Sequence, residues 1–483
     1  MAPIVLSRAE FKDKILGCWL GKNIGGTLGT PHECKRFALG LEFYDPIPTE
    51  PLPNDDLDLQ LVWLEMLEKE GVDPALPVFA KYWSKHAAPY PWNEYGFFMR
   101  NYTRGLRAPI AGCFENYFVD EMGSPIRSEI WGCLHPGNPQ AAARMAWKDS
   151  AIDHSGGEGM WGEMFWSSLQ AAAFVEKDPL TLIRIGLSMI PISSHVGRSI
   201  REAVWQFENK KIWGDAREAI ATRFGGIQPC NAVVNHGFTI LGWLYGKDFG
   251  DKLLKAVNCG YDTDCTGATL GATLGIIEGA EKIPANWIKP IGTGIVLHKF
   301  TVGLHAPKDV YELTDRTIAL AEQVAKTSTV CQFGAVTKHP ADMASTLFRN
   351  DQAAAIRAQD VHAAIEIVDG KAVALHYGGD PVLRPNEPKV VGVSVTGETE
   401  PKVVLGVPSS WAANPLGIRD GRAEFELLCR GPVADRNVLV ARLSTGKSVE
   451  FAMLGPGEAK GFAAGANVQK CPKCHARVEA CVC

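Results

Sequence analysis

Long apolar runs and an excess of positive charge are both missing from this sequence of 483 residues. No stretch of about 18 uncharged apolar residues occurs, so no membrane-spanning helix is predicted. Basic side chains number 49 against 54 acidic ones, leaving a net charge of −5. This excludes the basic surface expected of a nucleic-acid-binding protein. The first residues lack an apolar segment after a basic patch, which favours a cytoplasmic protein without a membrane partner.

A disulfide framework is not indicated either. The chain has 13 cysteines, an odd number, and most stand singly within apolar segments, as Cys18, Cys113, Cys133 and Cys230 do. Such thiols are typical of a reducing compartment. With 46% hydrophobic and 21% charged residues, the composition is that of a globular protein long enough for more than one core.

Hydrophobic periodicity divides the chain into a helical part and a β-rich part. Apolar residues recur at helical spacing up to about residue 328, and short alternating runs separated by turn residues begin near about residue 360. We predict a mainly α protein, with a helical domain over 1–330, a small β-sandwich-like domain over 331–468 and a Cys-rich tail over 469–483. The predicted helices cover roughly 8–28, 56–70, 73–86, 138–149, 159–176, 179–189, 197–209, 212–224, 233–245, 248–257, 265–280 and 309–326.

Two segments carry glycine at every fourth position. These glycines are Gly17, Gly21, Gly25 and Gly29 in the first segment, and Gly267, Gly271, Gly275 and Gly279 in the second. A glycine inside a helix costs about 0.5–1 kcal/mol relative to alanine, but a bare stripe lets another helix approach closely. We predict that the two helices pack against each other or on a shared neighbour near the functional site. The alternative is that the stripes reflect only a glycine-rich composition.

Two acidic clusters stand directly before predicted helices. They are Asn54, Asp55 and Asp56 in the first cluster, and Asp262 and Asp264 on either side of Thr263 in the second. Either cluster alone fits a helix cap or an Asx turn. Adjacent carboxylates in an apolar, glycine-rich neighbourhood repel one another unless a cation joins them. Because clustered oxygens suit hard ions such as Mg²⁺, Mn²⁺ or Ca²⁺, a bound metal is the simplest interpretation of both clusters together.

Four motifs, taken in order, resemble the ADP-ribosylglycohydrolase superfamily. They are G-x-x-x-G-x-x-x-G-x-x-L-G-x-P-x-E from Gly17 to Glu33, N-D-D from Asn54, Asp-His at Asp153 and His154, and D-T-D from Asp262. The sequence is similar in these motifs to the dinitrogenase-reductase-activating glycohydrolases and the ADP-ribosyl-acceptor hydrolases, over about residues 11–325. Any one motif alone would be a weak signal, but four in the same order are specific.

The resemblance implies an all-α orthogonal helical domain with one or two Mg²⁺ or Mn²⁺ ions in a cleft. There an N- or O-glycosidic bond to ribose C1″ would be hydrolysed in an ADP-ribosylated protein or a small-molecule substrate. Glu33 and Asp262 match catalytic positions, with Glu33 the candidate for proton transfer, and His154 matches a position beside the substrate. The metal ligands implied by the resemblance are Asn54, Asp55, Asp56, Asp262 and Asp264.

Three positions depart from the family pattern. Asn54 replaces a threonine ligand, Gly26 replaces an aspartate, and Cys265 replaces a closing threonine or serine. An amide keeps a carbonyl oxygen, but a thiol is a poor ligand for a hard ion. Two alternatives therefore stay open: a hydrolase of another ribosyl or glycosyl compound, and a protein that binds ADP-ribose without cleaving it.

Aromatic and amide residues supply further candidates for substrate binding. Trp92 and Tyr95 lie in a stretch between proline-rich turns and could stack on a base or sugar, although core packing is the usual role of such residues. Asn116 could bind a hydroxyl-rich ligand or serve only in a turn.

Four cysteines close the sequence: Cys471, Cys474, Cys481 and Cys483. Four thiolates suffice for one tetrahedral Zn²⁺. The spacing is compressed, since the second pair is C-x-C and the last ligand is the final residue, so an unliganded or redox-active tail is the alternative. We assign this tail no catalytic role.

Overall fold

Helices dominate the first two thirds of the computed structural model, which describes residues 2–90 and 93–457. The α-helices are α1 (Arg8–Gly29), α2 (Asp55–Glu70), α3 (Leu76–His86), α4 (Asn93–Thr103), α5 (Ile110–Cys113), α6 (Ser128–Leu134), α7 (Pro139–Ser150), α8 (Glu158–Ala173), α9 (Pro179–Met189), α10 (His195–Glu208), α11 (Trp213–Phe224), α12 (Ala232–Tyr245), α13 (Phe249–Val257), α14 (Thr263–Glu278), α15 (Ala285–Ile288), α16 (Val310–Thr327), α17 (Met343–Leu347) and α18 (Asp351–Arg357). Short 3₁₀ turns cover Thr30–His32, Pro125–Arg127 and Ala280–Lys282. None of the helices in these described ranges is long and apolar enough to cross a membrane.

Every predicted helix has a counterpart that begins and ends within a few residues of the prediction. The mainly helical fold class is therefore confirmed for this part of the chain. Helix α6 was not predicted, because all seven of its residues are buried and it shows no polar face that would reveal a helical period. Helix α4 was also not predicted, and its first residues belong to the stretch between proline-rich turns that holds the stacking candidate Tyr95.

The glycine stripes of α1 and α14 face each other, and the two helices run antiparallel. In order along α1, Gly17, Gly21 and Gly25 lie against Gly275, Gly271 and Gly267. A Cβ atom at any of these positions would overlap the backbone of the opposite helix. The predicted tight packing of the two helices is thus confirmed, and it is a direct contact of backbone with backbone.

This pairing decides which chain segments become neighbours. Because the helices are antiparallel, the C-terminal end of α1 meets the N-terminal end of α14. The Thr263 hydroxyl donates to the Gly29 carbonyl at 2.8 Å and fastens the two ends together. The residues that follow α1 and those that precede α14 therefore lie side by side.

A short parallel pair of strands joins the two ends of the helical region. Strand β1 (Ile4–Ser7) pairs with β2 (Cys331–Gly334), with Ile4 opposite Cys331. Ile4 and Leu6 are buried in the hydrophobic core. The predicted division at residue 330 stays a prediction, but β2 packs with the beginning of the chain.

A small sheet domain follows, as predicted. Its strands are β3 (Ala363–Val368), β4 (Lys371–His376), β5 (Lys389–Val395), β6 (Val403–Gly406), β7 (Trp411–Arg419), β8 (Arg422–Cys429), β9 (Arg436–Leu443) and β10 (Ser448–Leu454). They form a five-stranded sheet in the order β3-β4-β5-β8-β7 and a three-stranded sheet in the order β10-β9-β6. All these pairings are antiparallel. Alternate residues of β8 are buried, the pattern of a strand with one face on a core.

The sheet domain contacts the loop between α4 and α5. The Ile365 amide donates to the Ala108 carbonyl at 3.0 Å, and the Arg107 guanidinium lies 2.8 Å from the Glu366 carboxylate. The Cys113 thiol donates to the Val361 carbonyl at 3.5 Å. These contacts join the sheet domain to the segment from Arg107 to Cys113 of the helical domain.

Candidate active site

A cavity of about 330 Å³ lies where three helix ends meet. Glu33 follows α1, Asn54 caps α2 and Asp262 precedes α14. Both acidic clusters therefore contribute to one space, although they are far apart in the sequence. The remaining residues that line it are Thr30, Cys34, Pro53, Asp55, Asn93, Glu94, Tyr95, Glu121, Met122, Gly123, Ile126, Gln228, Pro229, Cys230, Asp264, Cys265 and His298.

The carboxylates form two adjoining groups. In the first, Glu33, Asp262 and Asp264 each offer an oxygen, and these atoms lie within 4.8 Å of one another. In the second, Asp56 and Asp264 offer oxygens and Cys265 offers its thiol, within the same distance. Asp264 belongs to both groups. The Asp264 carboxylate is thus the point at which residues from the end of α1 and from the beginnings of α2 and α14 meet.

Several carboxylate oxygens in these groups have no hydrogen-bond partner among the described residues. They are Oδ1 of Asp262, Oδ1 of Asp264 and both oxygens of Asp56. The three side chains are buried, at 1%, 7% and 0% exposure. A buried carboxylate without partners is strongly disfavoured, whereas oxygen donors of this kind suit Mg²⁺ or Mn²⁺. The residues present therefore fit a hard divalent ion.

The electrostatics of the cavity lead to the same conclusion. Burial raises the pKa of Asp262 well above its usual range, and Asp264 and Glu33 raise it further. Burial also raises the pKa of Asp264, with Glu33 and Asp55 adding to the effect. Glu33 keeps access to solvent but is surrounded by protein, so burial raises its pKa to about 8, assisted by Cys34 and Asp55. These negative charges oppose one another unless a cation is present.

A buried lysine offsets part of the charge on Asp56. The Lys22 ammonium, on α1, lies 3.6 Å from Asp56 Oδ1 and 3.0 Å from Glu129 Oε2, and it donates to the Ile126 carbonyl at 2.9 Å. Gln60 donates to Glu129 and to the Asp56 carbonyl, both at 2.9 Å. Burial nevertheless raises the pKa of Asp56, against the lowering effect of Lys22. Asp56 is therefore anchored in an internal polar network.

Two of the three departures from the family pattern fit each other. The Asn54 side chain caps α2 by accepting from the Asp56 amide at 3.0 Å. Its amide group fills the space beside Gly26, where any Cβ atom would overlap it. The Asn54 side-chain oxygen is engaged in this capping hydrogen bond. The roles of Asn54 and Asp55 as metal ligands stay predictions. The third departure, Cys265, lies beside Asp56 and Asp264.

Glu94 lines the cavity and was missed by the sequence reasoning. Its Oε2 is buried and has no hydrogen-bond partner in the described parts of the chain, and its Oε1 lies 3.9 Å from His154 Nε2. On its other side, His154 Nδ1 lies 2.7 Å from Asp153 Oδ1. Arg127 donates to both oxygens of Asp153 at 3.0 Å. A buried chain of charged and polar groups therefore ends at Glu94.

No sequence spacing indicates this arrangement. The nearest signal is Gly123, where a side chain would overlap the Glu94 carboxylate and contact the Tyr95 hydroxyl. That requirement becomes visible only in three dimensions. Glu121 and His298 also line the cavity without any motif that predicted them.

The predicted substrate-binding residues have different positions. Tyr95 lines the cavity, but it is only 1% exposed and its hydroxyl donates to the Gly123 carbonyl at 2.9 Å. His154 and Asn116 are not among the lining residues. Asn116 donates to the backbone carbonyls of Gly112 and Asp153 at 2.9 and 2.7 Å, so its amide supports a loop. Trp92 and the four cysteines of the predicted zinc site lie outside the described residues.

Fold and site together define a helical protein with a carboxylate-rich cavity that suits a divalent cation. A family model described as ADP-ribosylglycohydrolase matches residues 7–328, and the chain belongs to this family of glycohydrolases. A solved structure described as an "ADP-ribosylglycohydrolase-related protein complex" is 20% identical, with a TM-score of 0.44, over 66% of this chain and 99% of that chain. No curated protein matches the chain.

Proposed function

We propose that this protein is a metal-dependent hydrolase that cleaves an N- or O-glycosidic bond at ribose C1″ of an ADP-ribosylated substrate. The family match supports the glycosidic chemistry. The observation that carries the metal dependence is the convergence of Glu33, Asp262 and Asp264 in one cavity, with Asp56 beside Asp264 and with buried aspartate oxygens that lack hydrogen-bond partners among the described residues.

Asp56, Asp262 and Asp264 would hold Mg²⁺ or Mn²⁺, with Asn54 and Asp55 as further predicted ligands. When bound, such an ion supplies positive charge that orients oxygen groups of substrate and water and stabilises negative charge. The positions of the three aspartate carboxylates would determine where this positive charge is held. Lys22 keeps the Asp56 side chain in place from the protein interior.

Two carboxylates that line the cavity are candidates for proton transfer. Glu33 adjoins Asp262 and Asp264, where it would accept a proton from the attacking water as the C1″ bond breaks. Glu94 would donate a proton from its Oε2 to the leaving group, with His154 Nε2 3.9 Å from its Oε1 and held on its other side by Asp153. Carboxylates would also stabilise the positive charge that develops at the ribose carbon.

The test is a substrate panel assayed with the full-length protein. ADP-ribosylated peptides with N- and O-linkages are incubated with Mg²⁺, with Mn²⁺ and with a chelator. We expect release of ADP-ribose that requires metal, and its loss in Asp262→Ala with the fold retained. Asp315→Ala, which removes an exposed carboxylate, is the matched control. Substantial turnover by Asp262→Ala, or full activity in chelator, contradicts the proposal.

A second candidate is hydrolysis of a smaller ribosyl or glycosyl compound. The cavity volume of about 330 Å³ is at the low end of the range for ligand sites, which favours a substrate that buries one sugar unit. Adding simple ribosides and glycosides to the same panel separates the two candidates. Cleavage of these compounds without cleavage of any ADP-ribosylated peptide favours the second.

A further inference from the structure

Two cysteine thiols and a carboxylate meet at the wall of the cavity. Glu33 Oε1 lies 3.8 Å from Cys34 Sγ and 3.6 Å from Cys230 Sγ. The three ligand atoms all lie within 4.8 Å of one another. Neither thiol belongs to the hard-ion groups formed by the aspartates. Two sulfur ligands and one oxygen ligand form a softer donor set than the carboxylate oxygens in the rest of the site.

The two oxygen–sulfur separations match edges of a tetrahedral zinc site. With Zn–S of about 2.3 Å and Zn–O of about 2.0–2.2 Å, tetrahedral angles place an oxygen and a sulfur ligand about 3.5–3.7 Å apart. The two observed distances from the Glu33 oxygen differ from this range by about 0.1 Å or less. Along these two edges the ligand atoms would therefore need little movement to bind such an ion.

The backbone holds both cysteines in place from separate segments. Cys34 has a φ of 68°, a left-handed conformation that costs a non-glycine residue of order 1–3 kcal/mol. Its amide donates to the Tyr261 carbonyl at 2.8 Å, and the Met122 amide donates to the Cys230 carbonyl at 2.9 Å. Strain of this kind persists where the surroundings impose it, and it is frequent at ligand sites.

We propose that Glu33, Cys34 and Cys230 form a second metal site, which takes a soft divalent ion of the zinc class. Thiolates select such ions over Mg²⁺ and Mn²⁺. Three protein ligands leave the fourth tetrahedral position for water or a small ligand. Glu33 is common to this site and to the first carboxylate group, so the two sites adjoin.

One consequence rests on the proposed function. If Glu33 transfers a proton during hydrolysis, an ion that binds Glu33 removes it from that task. Zinc should then inhibit the Mg²⁺-supported reaction, and Cys34→Ser/Cys230→Ser should lose this sensitivity. Metal binding itself does not depend on that function and is tested separately.

The binding test uses Co²⁺ as a spectroscopic probe of thiolate ligation. The full-length protein carries serine at the four tail cysteines, so that these thiols do not compete, and is kept reduced. We expect a thiolate-to-cobalt charge-transfer band at one equivalent, lost on adding Zn²⁺ and unchanged by excess Mg²⁺. Cys34→Ser and Cys230→Ser should each weaken zinc binding about a hundredfold or more, since even supporting groups cost 10–100-fold. Cys113→Ser is the matched control and should keep the band.

Glu33→Gln is a second variant that leaves both thiols intact. It should weaken zinc binding and change the cobalt spectrum, and circular dichroism of each variant verifies folding. Absence of the band in the reduced parent protein overturns the proposal without reference to any variant. The proposal is also overturned if the band survives in the folded Cys34→Ser/Cys230→Ser variant and disappears in Cys265→Ser. The cobalt-bound thiolate would then be that of Cys265, in the group with Asp56 and Asp264. Zinc binding that follows these expectations supports the site even if zinc does not affect hydrolysis or no hydrolysis is detected. Either of these results counts only against the link between the zinc site and the proposed reaction.

Discussion

The amide group of Asn54 occupies the space that a side chain on Gly26 would need. These residues stand where the family pattern has threonine and aspartate, so the two departures compensate each other sterically. Asn54 also caps α2 through its oxygen. Exchange of one residue without the other should therefore disturb the start of α2 and the carboxylates that follow.

Gly26→Ala tests this relationship. We expect it to lower the free energy of unfolding by about 1–3 kcal/mol, because the added methyl group overlaps Asn54. In the Asn54→Thr background, the same substitution should cost little or stabilise by up to about 1 kcal/mol, since alanine is the better helix former and threonine still caps. Urea unfolding of the four proteins gives the coupling. Simple additivity of the two substitutions would refute the steric explanation.

Gly271→Ala should destabilise the protein by about 1–3 kcal/mol or more, because its methyl group would meet the Gly21 backbone, which cannot rotate away. Gly214→Ala is the control. Gly214 lies in α11, and no atom of residues 2–90 or 93–457 lies within 4 Å of a Cβ added there, so alanine should stabilise by up to about 1 kcal/mol. Equal effects of the two substitutions in thermal unfolding would show that the glycine stripe is not a packing requirement.

Metal should stabilise the wild-type protein and not the Asp264→Asn variant. At a metal concentration one hundred times Kd, binding contributes about 2.7 kcal/mol, which thermal unfolding with Mn²⁺ and with chelator detects. In chelator, Asp264→Asn should be at least as stable as wild type, because it removes one of several repelling buried charges. Asp315→Asn, at an exposed position, should behave as wild type. A Mn²⁺ response retained by Asp264→Asn contradicts the assigned ligand.

Glu94→Gln should lower kcat by about 10²-fold or more with a small change in KM, since proton transfer of this kind contributes about 10²–10⁴-fold. His154→Gln should have a smaller effect, because His154 Nε2 lies 3.9 Å from the Glu94 carboxylate and His154 does not line the cavity. Glu115→Gln removes an exposed carboxylate outside the lining and is the control. A kcat unchanged in Glu94→Gln would leave Glu33 as the remaining candidate for proton transfer.

The sheet domain offers a test of pH dependence. The hydrogen bond from His376, at 2.7 Å, lowers the pKa of Asp360. A folded-state pKa below the unfolded value of about 3.9 stabilises the folded protein above that value, and this stabilisation disappears as the pH falls through the folded pKa. Asp360→Asn should therefore cost about 1 kcal/mol at pH 7, and this cost should shrink as the pH falls from about 3.9 through the folded pKa. Urea unfolding across this range checks it, with exposed Asp369→Asn expected to show no such pH-dependent loss.

Local sequence patterns predicted the elements that place the acids proposed to bind metal. Capping residues and helical periodicity located the starts of α2 and α14, and the glycine spacing predicted the contact that brings Glu33 beside Asp262. The roles of Asn116 and His154 were harder to predict, because loop composition does not reveal whether a polar side chain faces a cavity or a backbone carbonyl. Glu94 was missed for the same reason, since its surroundings come from Gly123 and His154, which are distant in sequence.

The parallel pairing of β1 with β2 has a practical consequence for dividing the protein. A fragment cut at the end of the family match would discard the strand that covers Ile4 and Leu6, two residues fully enclosed in the intact chain. The Val5 amide and carbonyl also form hydrogen bonds with the Lys338 backbone, so we expect the shortest helical fragment that folds by itself to extend at least that far. We therefore expect a truncation series to give soluble protein only for fragments that retain the β1–β2 pair and the Val5–Lys338 hydrogen bonds.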